Sequence, residues 1–191
     1  MTQISLPTSP LAICALALAA CSREAAPPIE ANLADANAVA TAPQKLALNG
    51  GDGAAMGNVI LSEDPNGVTI RIDASGLPAG AHGVHLHTTG LCDGPKFASA
   101  GAHWNPGMKK HGRDNPAGAH LGDLANLEVG ANGTASVSVP IERVMMASGA
   151  TMLADADGTA LVIHAKADDY KTDPSGDSGD RVACAVLAGA K

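Results

Sequence analysis

Apolar and polar residues alternate most clearly over Val68-Thr-Ile-Arg-Ile-Asp73, just after the turn signal Asp64-Pro-Asn-Gly67. Alternation with a period of two puts every second side chain on one face, so this run predicts a half-buried strand. Thr134-Ala-Ser-Val-Ser-Val139 repeats the pattern with small polar residues, and Lys45–Leu48 shows it weakly. Met56–Leu61, His82–His87, Ala160–His164 and Arg181–Leu187 are further short runs of strand character. Gly, Pro, Asn and Asp lie between them, and no stretch from residue 44 onward carries a long stripe of period 3.6. Short strands separated by turn residues predict an all-β sandwich or barrel. Two stretches, about 89–119 and about 165–180, are left as long loops, and loops of that length in a compact domain usually serve function.

The leading forty residues follow another pattern. Leu11–Ala20 is an unbroken apolar run, too short to span a bilayer as a helix but of the length of a signal-peptide core. It ends in Leu18-Ala19-Ala20-Cys21, which resembles the lipobox of bacterial lipoproteins, although residues 1–10 hold no Lys or Arg. That resemblance implies a cleaved segment over 1–20 and a lipid on Cys21. Residues 22–43 are rich in Ala, Pro and small polar residues without a period, the composition of a flexible tether. The expected organisation is a signal peptide over 1–20, a tether over 21–43 and one folded domain over 44–191.

Composition narrows the function classes. The 191 residues include one Phe, one Tyr and one Trp, namely Phe97, Tyr170 and Trp104. Such a chain lacks the aromatic platforms that stack single-stranded nucleic acid. Its formal net charge of −7 does not favour a phosphate backbone either, so no nucleic-acid partner is expected. A small anion could still be attracted by a local cation. None of the three rings falls in an expected strand, so the barrel core should be aliphatic and the rings should pack beneath the loops.

All seven histidines lie in the expected domain, at 82, 85, 87, 103, 111, 120 and 164. His85 and His87 flank Leu86 on an expected strand, so both rings can face one ion. His103, His111, His120 and Asp123 follow in a Gly- and Pro-rich loop and could form a tetrahedral zinc set. His164 ends another strand and could fold back on the first pair. Eight candidate ligands are too many for one tetrahedral ion. Two sites sharing a ligand would use them, because an imidazole that loses both protons can bridge two metals. Copper favours nitrogen in tetragonal geometry and zinc tetrahedral nitrogen and oxygen, so a mixed site implies one-electron chemistry.

At this point four blocks together resemble the copper–zinc superoxide dismutases. They are Gly80-Ala-His82-Gly-Val-His85-Leu-His87, Gly101-Ala-His103-Trp-Asn-Pro106 with His111 and His120-Leu-Gly-Asp123, Leu161–Asp168, and Gly179-Asp-Arg181-Val-Ala-Cys184. Cys92-x-x-Pro95-x-Phe97-x-Ser99 resembles the bacterial, exported branch. The resemblance covers about residues 44–191. It implies an eight-stranded Greek-key sandwich or flattened barrel that binds one copper and one zinc ion per subunit. Superoxide would be dismuted to oxygen and hydrogen peroxide at a histidine-bridged site. His85, His87, His103 and His164 would hold copper; His103, His111, His120 and Asp123 would hold zinc. His103 would also carry one proton. Asp168 would orient His85 and His111 from behind, His82 would be a structural non-ligand, and Arg181 would hold the anion. Lys166 and Lys171 could help steer it, although solvated loop charge is the simpler reading.

The same resemblance pairs Cys92 with Cys184 in a disulfide, which needs an oxidising compartment. The implied location is the periplasm, with the protein anchored to a membrane at Cys21, the outer one being compatible with Ser22. A monomer and a homodimer are both compatible with the sequence. Val84 and Trp104 depart from the family's usual residues without touching a ligand. Met145, Met146 and Met152 read either as a copper-loading surface or, more simply, as core filling. A metal buffer on the same fold is the second reading of function, and Arg181 speaks against it because a buffer needs no anion guide. A zinc hydrolase would need an open zinc position, which four protein ligands close.

Overall fold

A computed structural model of the chain describes residues 42–191; the expected leader, nearly all of the tether and Cys21 lie outside the described residues. Nine strands follow in order: β1 Gln44–Gly50, β2 Ala55–Asp64, β3 Gly67–Ser75, β4 Gly80–His82, β5 Val84–His87, β6 Leu127–Val129, β7 Thr134–Glu142, β8 Thr159–His164 and β9 Arg181–Ala188. Among the described residues there is no α-helix, only a 3-10 turn at Ala98–Ala100 in the first long loop.

Local chemistry sets the hairpins. Asp64 Oδ1 accepts from the amides of Asn66 (2.7 Å) and Gly67 (3.2 Å), closing the β2–β3 turn with a side chain. From there β2 and β3 pair in register from Asp64↔Gly67 to Gly57↔Ala74. Val68, Ile70, Ile72 and Ala74 face the core, while Thr69, Arg71 and Asp73 face outward. The alternation in the sequence is therefore the pleat of a half-buried strand.

Seven strands form one antiparallel sheet in the order β5-β8-β9-β1-β2-β3-β7, and β4 pairs with β6 in a second sheet. The link from β3 to β4 and β5 crosses from one end of the large sheet to the other, as in a Greek key. The sheet curls so that β7 runs beside β6, while β4, the partner of β6, continues past Gly83 into β5. The core inside is aliphatic, with Trp104 as its one aromatic member.

The count differs from the expected eight. Residues 82–87, read as one strand, are split at Gly83, where a β-carbon would lie 2.9 Å from Ser178 Cβ and 3.3 Å from the His85 ring. The three-residue β6 is too short to announce itself by alternation.

The β5–β8–β9 end is where the fold prepares a site. β8 is buried at all six positions. Leu161 and Ile163 join the main core, while Ala160 and Val162 pack on the other face with Phe97, Ala100 and Cys184. His85 pairs with Val162 and His87 with Ala160, so both histidines lie on this second face. The loops 88–126 and 165–180 provide its polar cover; the first runs seven residues beyond its expected end. Phe97 and Trp104 are buried and Tyr170 half-buried, all three on these loops as expected. Of the methionines, Met146 packs against the core, and Met145 and Met152 bridge to each other half-exposed.

Candidate metal centre

The site begins with strand geometry. β5 presents His85 and His87 side by side, fully buried. β8 ends at His164, opposite Arg181. Between Ile163↔Ala183 and His164↔Arg181 the register shifts, leaving Val182 as the extra residue of a bulge in β9. Regular alternation would put Arg181 on the same face as Ala183, in the core. The bulge lets Val182 pack inward with Ala183 and turns Arg181 to the histidine face. His103, His111, His120 and Asp123 arrive on the first loop, tied to β5 by the bridges His87↔His103 and His85↔Asp123.

Four of the histidines have one nitrogen committed to an acceptor outside the metal groups. His85 Nε2 donates to Asp168 Oδ2 at 2.8 Å, and His111 Nε2 to Asp168 Oδ1 at 3.0 Å. His87 Nδ1 donates to the Gly101 carbonyl at 2.9 Å, and His164 Nδ1 to that of Gly179 at 3.2 Å. In the neutral ring these partners fix the tautomer and leave a lone pair on the other nitrogen. The leftover atoms are His85 Nδ1, His87 Nε2, His111 Nδ1 and His164 Nε2, all buried without a hydrogen-bond partner. Orphaned buried nitrogens are costly unless something binds them.

They converge in two groups. His85, His87, His103 and His164 bring one nitrogen each to a common point, an all-imidazole set suited to copper. Around Asp123 Oδ1 stand the Nδ1 atoms of His103, His111 and His120, each at 3.1 Å. Tetrahedral zinc with ligands at about 2.0–2.1 Å has ligand–ligand edges of about 3.3 Å, close to this spacing. His111 Nδ1 is near Asp123 yet makes no hydrogen bond to it, so one ion could be held by both once the ring is neutral. By distance alone His85 also falls among His103, His111 and Asp123, ahead of His120. Asp168 already holds His85 Nε2, so its single free nitrogen can serve one ion, the copper-type one. His103 is the residue with a place in both groups, and its Nδ1 faces Asp123. The donors thus fit a copper–zinc pair.

The field agrees. Burial, the largest influence, holds His87 at about 2, His103 at about 4 and His164 at about 3, so these rings are neutral and ready to ligate. His111 differs: burial would lower it, but the buried carboxylates of Asp123 and Asp168 beside its ring raise it to about 9. Burial would likewise raise both carboxyls. Their neighbours outweigh it and keep them well below the usual carboxylate range: His103, the nearby His111 ring and the Gly112 amide at Asp123, and His111, His85 and the Tyr170 amide at Asp168. At Gly176, whose φ is +66°, any side chain would collide with the Asp168 carboxylate and with His111, so the chain needs glycine there.

Arg181 is held rather than free. Its Nη1 donates to the Phe97 carbonyl at 2.7 Å and its Nη2 to that of Gly101 at 2.6 Å. A recess of about 570 Å³, open to solvent, is lined by Arg181 together with Lys96 and Asp180. The disulfide Cys92–Cys184 joins the loop that supplies both carbonyls to the strand that carries Arg181.

All expected site residues within the described part gather here. His82 stands apart as expected, spanning the carbonyls of His164 (2.7 Å) and Pro78 (2.9 Å). Asn126 and Asp173 also belong to the site without having been expected there, and Tyr170, expected only as a ring beneath the loops, joins them through its hydroxyl. Asn126 pairs with the Asp168 backbone, and Asp173 accepts from the His111 amide at 2.8 Å. Their one signal in the sequence is closeness to Asp123 and Asp168.

Comparison with known proteins agrees with this geometry. The family model described as copper/zinc superoxide dismutase (SODC) matches residues 55–187. A protein of Caulobacter vibrioides named superoxide dismutase [Cu-Zn] is 41% identical over 72% of this chain and 80% of its own length. One of Deinococcus radiodurans with the same name is 34% identical over 96% of both chains. A superoxide dismutase-like protein of Bacillus subtilis is 44% identical over 72% of each. A crystal structure of a SOD-like protein from Bacillus subtilis superposes with a TM-score of 0.73 at 40% identity, covering 76% of this chain and 99% of that one. Likeness to a protein named only dismutase-like does not carry an activity; the complete donor set does. With that set in place and the match spanning the folded part, the chain belongs to the copper/zinc superoxide dismutase family.

Proposed function

We propose that this chain is an exported, lipid-anchored dismutase that removes superoxide at the cell envelope. The observation that carries the chemistry is the convergence of the four orphaned nitrogens with His103 and the Asp123 carboxylate. Copper, when bound, supplies the one-electron exchange by which two superoxide ions become oxygen and hydrogen peroxide, and zinc completes the scaffold. His85, His87, His164 and His103 are the copper ligands, and His103, His111, His120 and Asp123 the zinc ligands. Asp168 fixes the rings of His85 and His111. Arg181, a permanent cation at an open recess, binds and orients the anion. Asp123 faces His103 Nδ1, so Nε2 is the atom at which His103 carries a proton to the product. A metal buffer would have no use for the bulge that turns Arg181 to this face.

Three observations support export. Leu11–Ala20 followed by Cys21 has the length and ending of a lipoprotein leader. The Cys92–Cys184 disulfide suits an oxidising compartment. A Brugia pahangi relative, 35% identical over 78% of this chain, is named an extracellular superoxide dismutase. A lipid on Cys21 would keep the domain in the periplasm on a membrane, and Ser22 is compatible with the outer one. Fractionation tests it: wild type should sediment with membranes and take up labelled fatty acid, and Cys21→Ala should do neither. A wild-type protein that is soluble and unlabelled refutes the anchor. Metal analysis tests the ligands: His164→Ala should lose copper and keep zinc, and loss of neither would refute the copper assignment.

A further inference from the structure

The residue whose side chain pairs with the Asp168 backbone has no hydrogen bond to either metal group or to the Asp168 carboxylate. Asn126 lies three residues after Asp123, at the end of the first long loop. Its Nδ2 donates to the Asp168 carbonyl at 3.0 Å, and its Oδ1 accepts from the Asp168 amide at 2.8 Å. One side chain thus pairs with both backbone groups of one residue, as a neighbouring strand would. The amide orientation follows from the partners, since the reverse would set donor against donor and acceptor against acceptor. The Asn126 amide in turn donates to the Tyr170 hydroxyl at 2.8 Å. Arg113 lies 3.7 Å over the face of the Tyr170 ring, and the Asp114 amide donates to the Tyr170 carbonyl at 3.0 Å.

The consequence lies in what Asp168 does. Its carboxylate is fully buried and shared between His85 on the copper side and His111 on the zinc side. A carboxylate that must meet two rings at once has little freedom, and only its backbone can place it. We propose that Asn126 is a positioning residue: by clamping the Asp168 backbone it sets the carboxylate that joins the two metal sites, with Tyr170 as its brace. One short segment then carries both a zinc ligand, Asp123, and the clamp on the group that orients another, His111. The proposal rests on the zinc assignment above and is independent of export or anchoring.

The test uses the full chain loaded with copper and with either zinc or cobalt, cobalt serving as a spectroscopic probe of the zinc site. Asn126→Ala should shift the visible cobalt bands and weaken zinc about tenfold in competition with a chelator, the low end for a group behind a ligand. Tyr170→Phe keeps the ring under Arg113 but removes the oxygen that braces Asn126, and should shift both readouts in the same direction by less than Asn126→Ala does. Val137→Ala, on β7 away from the site, serves as the stability control and should leave the cobalt bands unchanged. Asn126→Ala with wild-type cobalt bands and zinc affinity overturns the proposal, whatever its melting temperature. If Asn126→Ala does not fold, Tyr170→Phe decides, and wild-type behaviour there overturns it equally. Failure of the wild-type chain to bind cobalt at all would instead refute the zinc assignment.

Discussion

His85 and His111 meet on opposite oxygens of one buried carboxylate, at 2.8 and 3.0 Å from Asp168. The copper-type and zinc-type groups are therefore joined twice, through His103 in front and through Asp168 behind. Asp168→Asn keeps the shape but replaces one acceptor by a donor that faces a ring N–H. Zinc affinity should fall about 10- to 100-fold, measured by competition with a chromogenic chelator. Unchanged affinity would mean that the carboxylate does not orient the ligands.

Arg181 and His87 share an acceptor, the Gly101 carbonyl, so the proposed anion site and a proposed copper ligand are fixed to the same atom. Arg181→Ala should lower kcat/KM for superoxide about tenfold or more and flatten its dependence on salt; superoxide dismutases are themselves a standard example of such steering. Arg181→Lys keeps the charge but cannot span both carbonyls, so it should fall between the two. Pulse radiolysis at low and high ionic strength separates these cases.

The disulfide closes a loop with a sequence separation of 92. In the chain-entropy model, opening a loop of this size costs about 4–5 kcal/mol. Cys184→Ser should show a loss of this order in urea unfolding of the metal-free protein. The activity of the loaded variant should fall as well, because the loop carrying the carbonyls of Phe97 and Gly101 loses its tie to the strand of Arg181.

His111 gives a signed pH dependence. Its folded pKa is raised to about 9, so the metal-free ring is protonated at pH 7, whereas zinc binds the deprotonated ring. Zinc binding at pH 7 should therefore release about one proton, and affinity should rise with pH up to about 9 and then level off. Calorimetry in buffers of different ionisation enthalpy measures that proton directly. Release of none at pH 7 would contradict the environment described for His111.

Much of this was written in the chain. Val68–Asp73 alternates because one face of β3 is buried, and β8 reads as continuous apolar sequence because loops cover its second face. The ligands could be found because histidine is chemically distinctive and the motifs are local. The bulge at Val182 could not, since nothing in Arg181-Val-Ala-Cys184 says that one residue is looped out; that is a property of pairing with β8. The clamp on Asp168 was equally hidden. Asn126 and Tyr170 are 44 residues apart, and their hydrogen bond exists only once two loops have met.

Superoxide consumption by the protein loaded with one copper and one zinc per chain tests the central claim most directly. The account predicts rapid dismutation that a copper chelator abolishes and that His164→Ala removes while zinc stays bound. Full occupancy of both metals with superoxide decaying no faster than in buffer alone would contradict it.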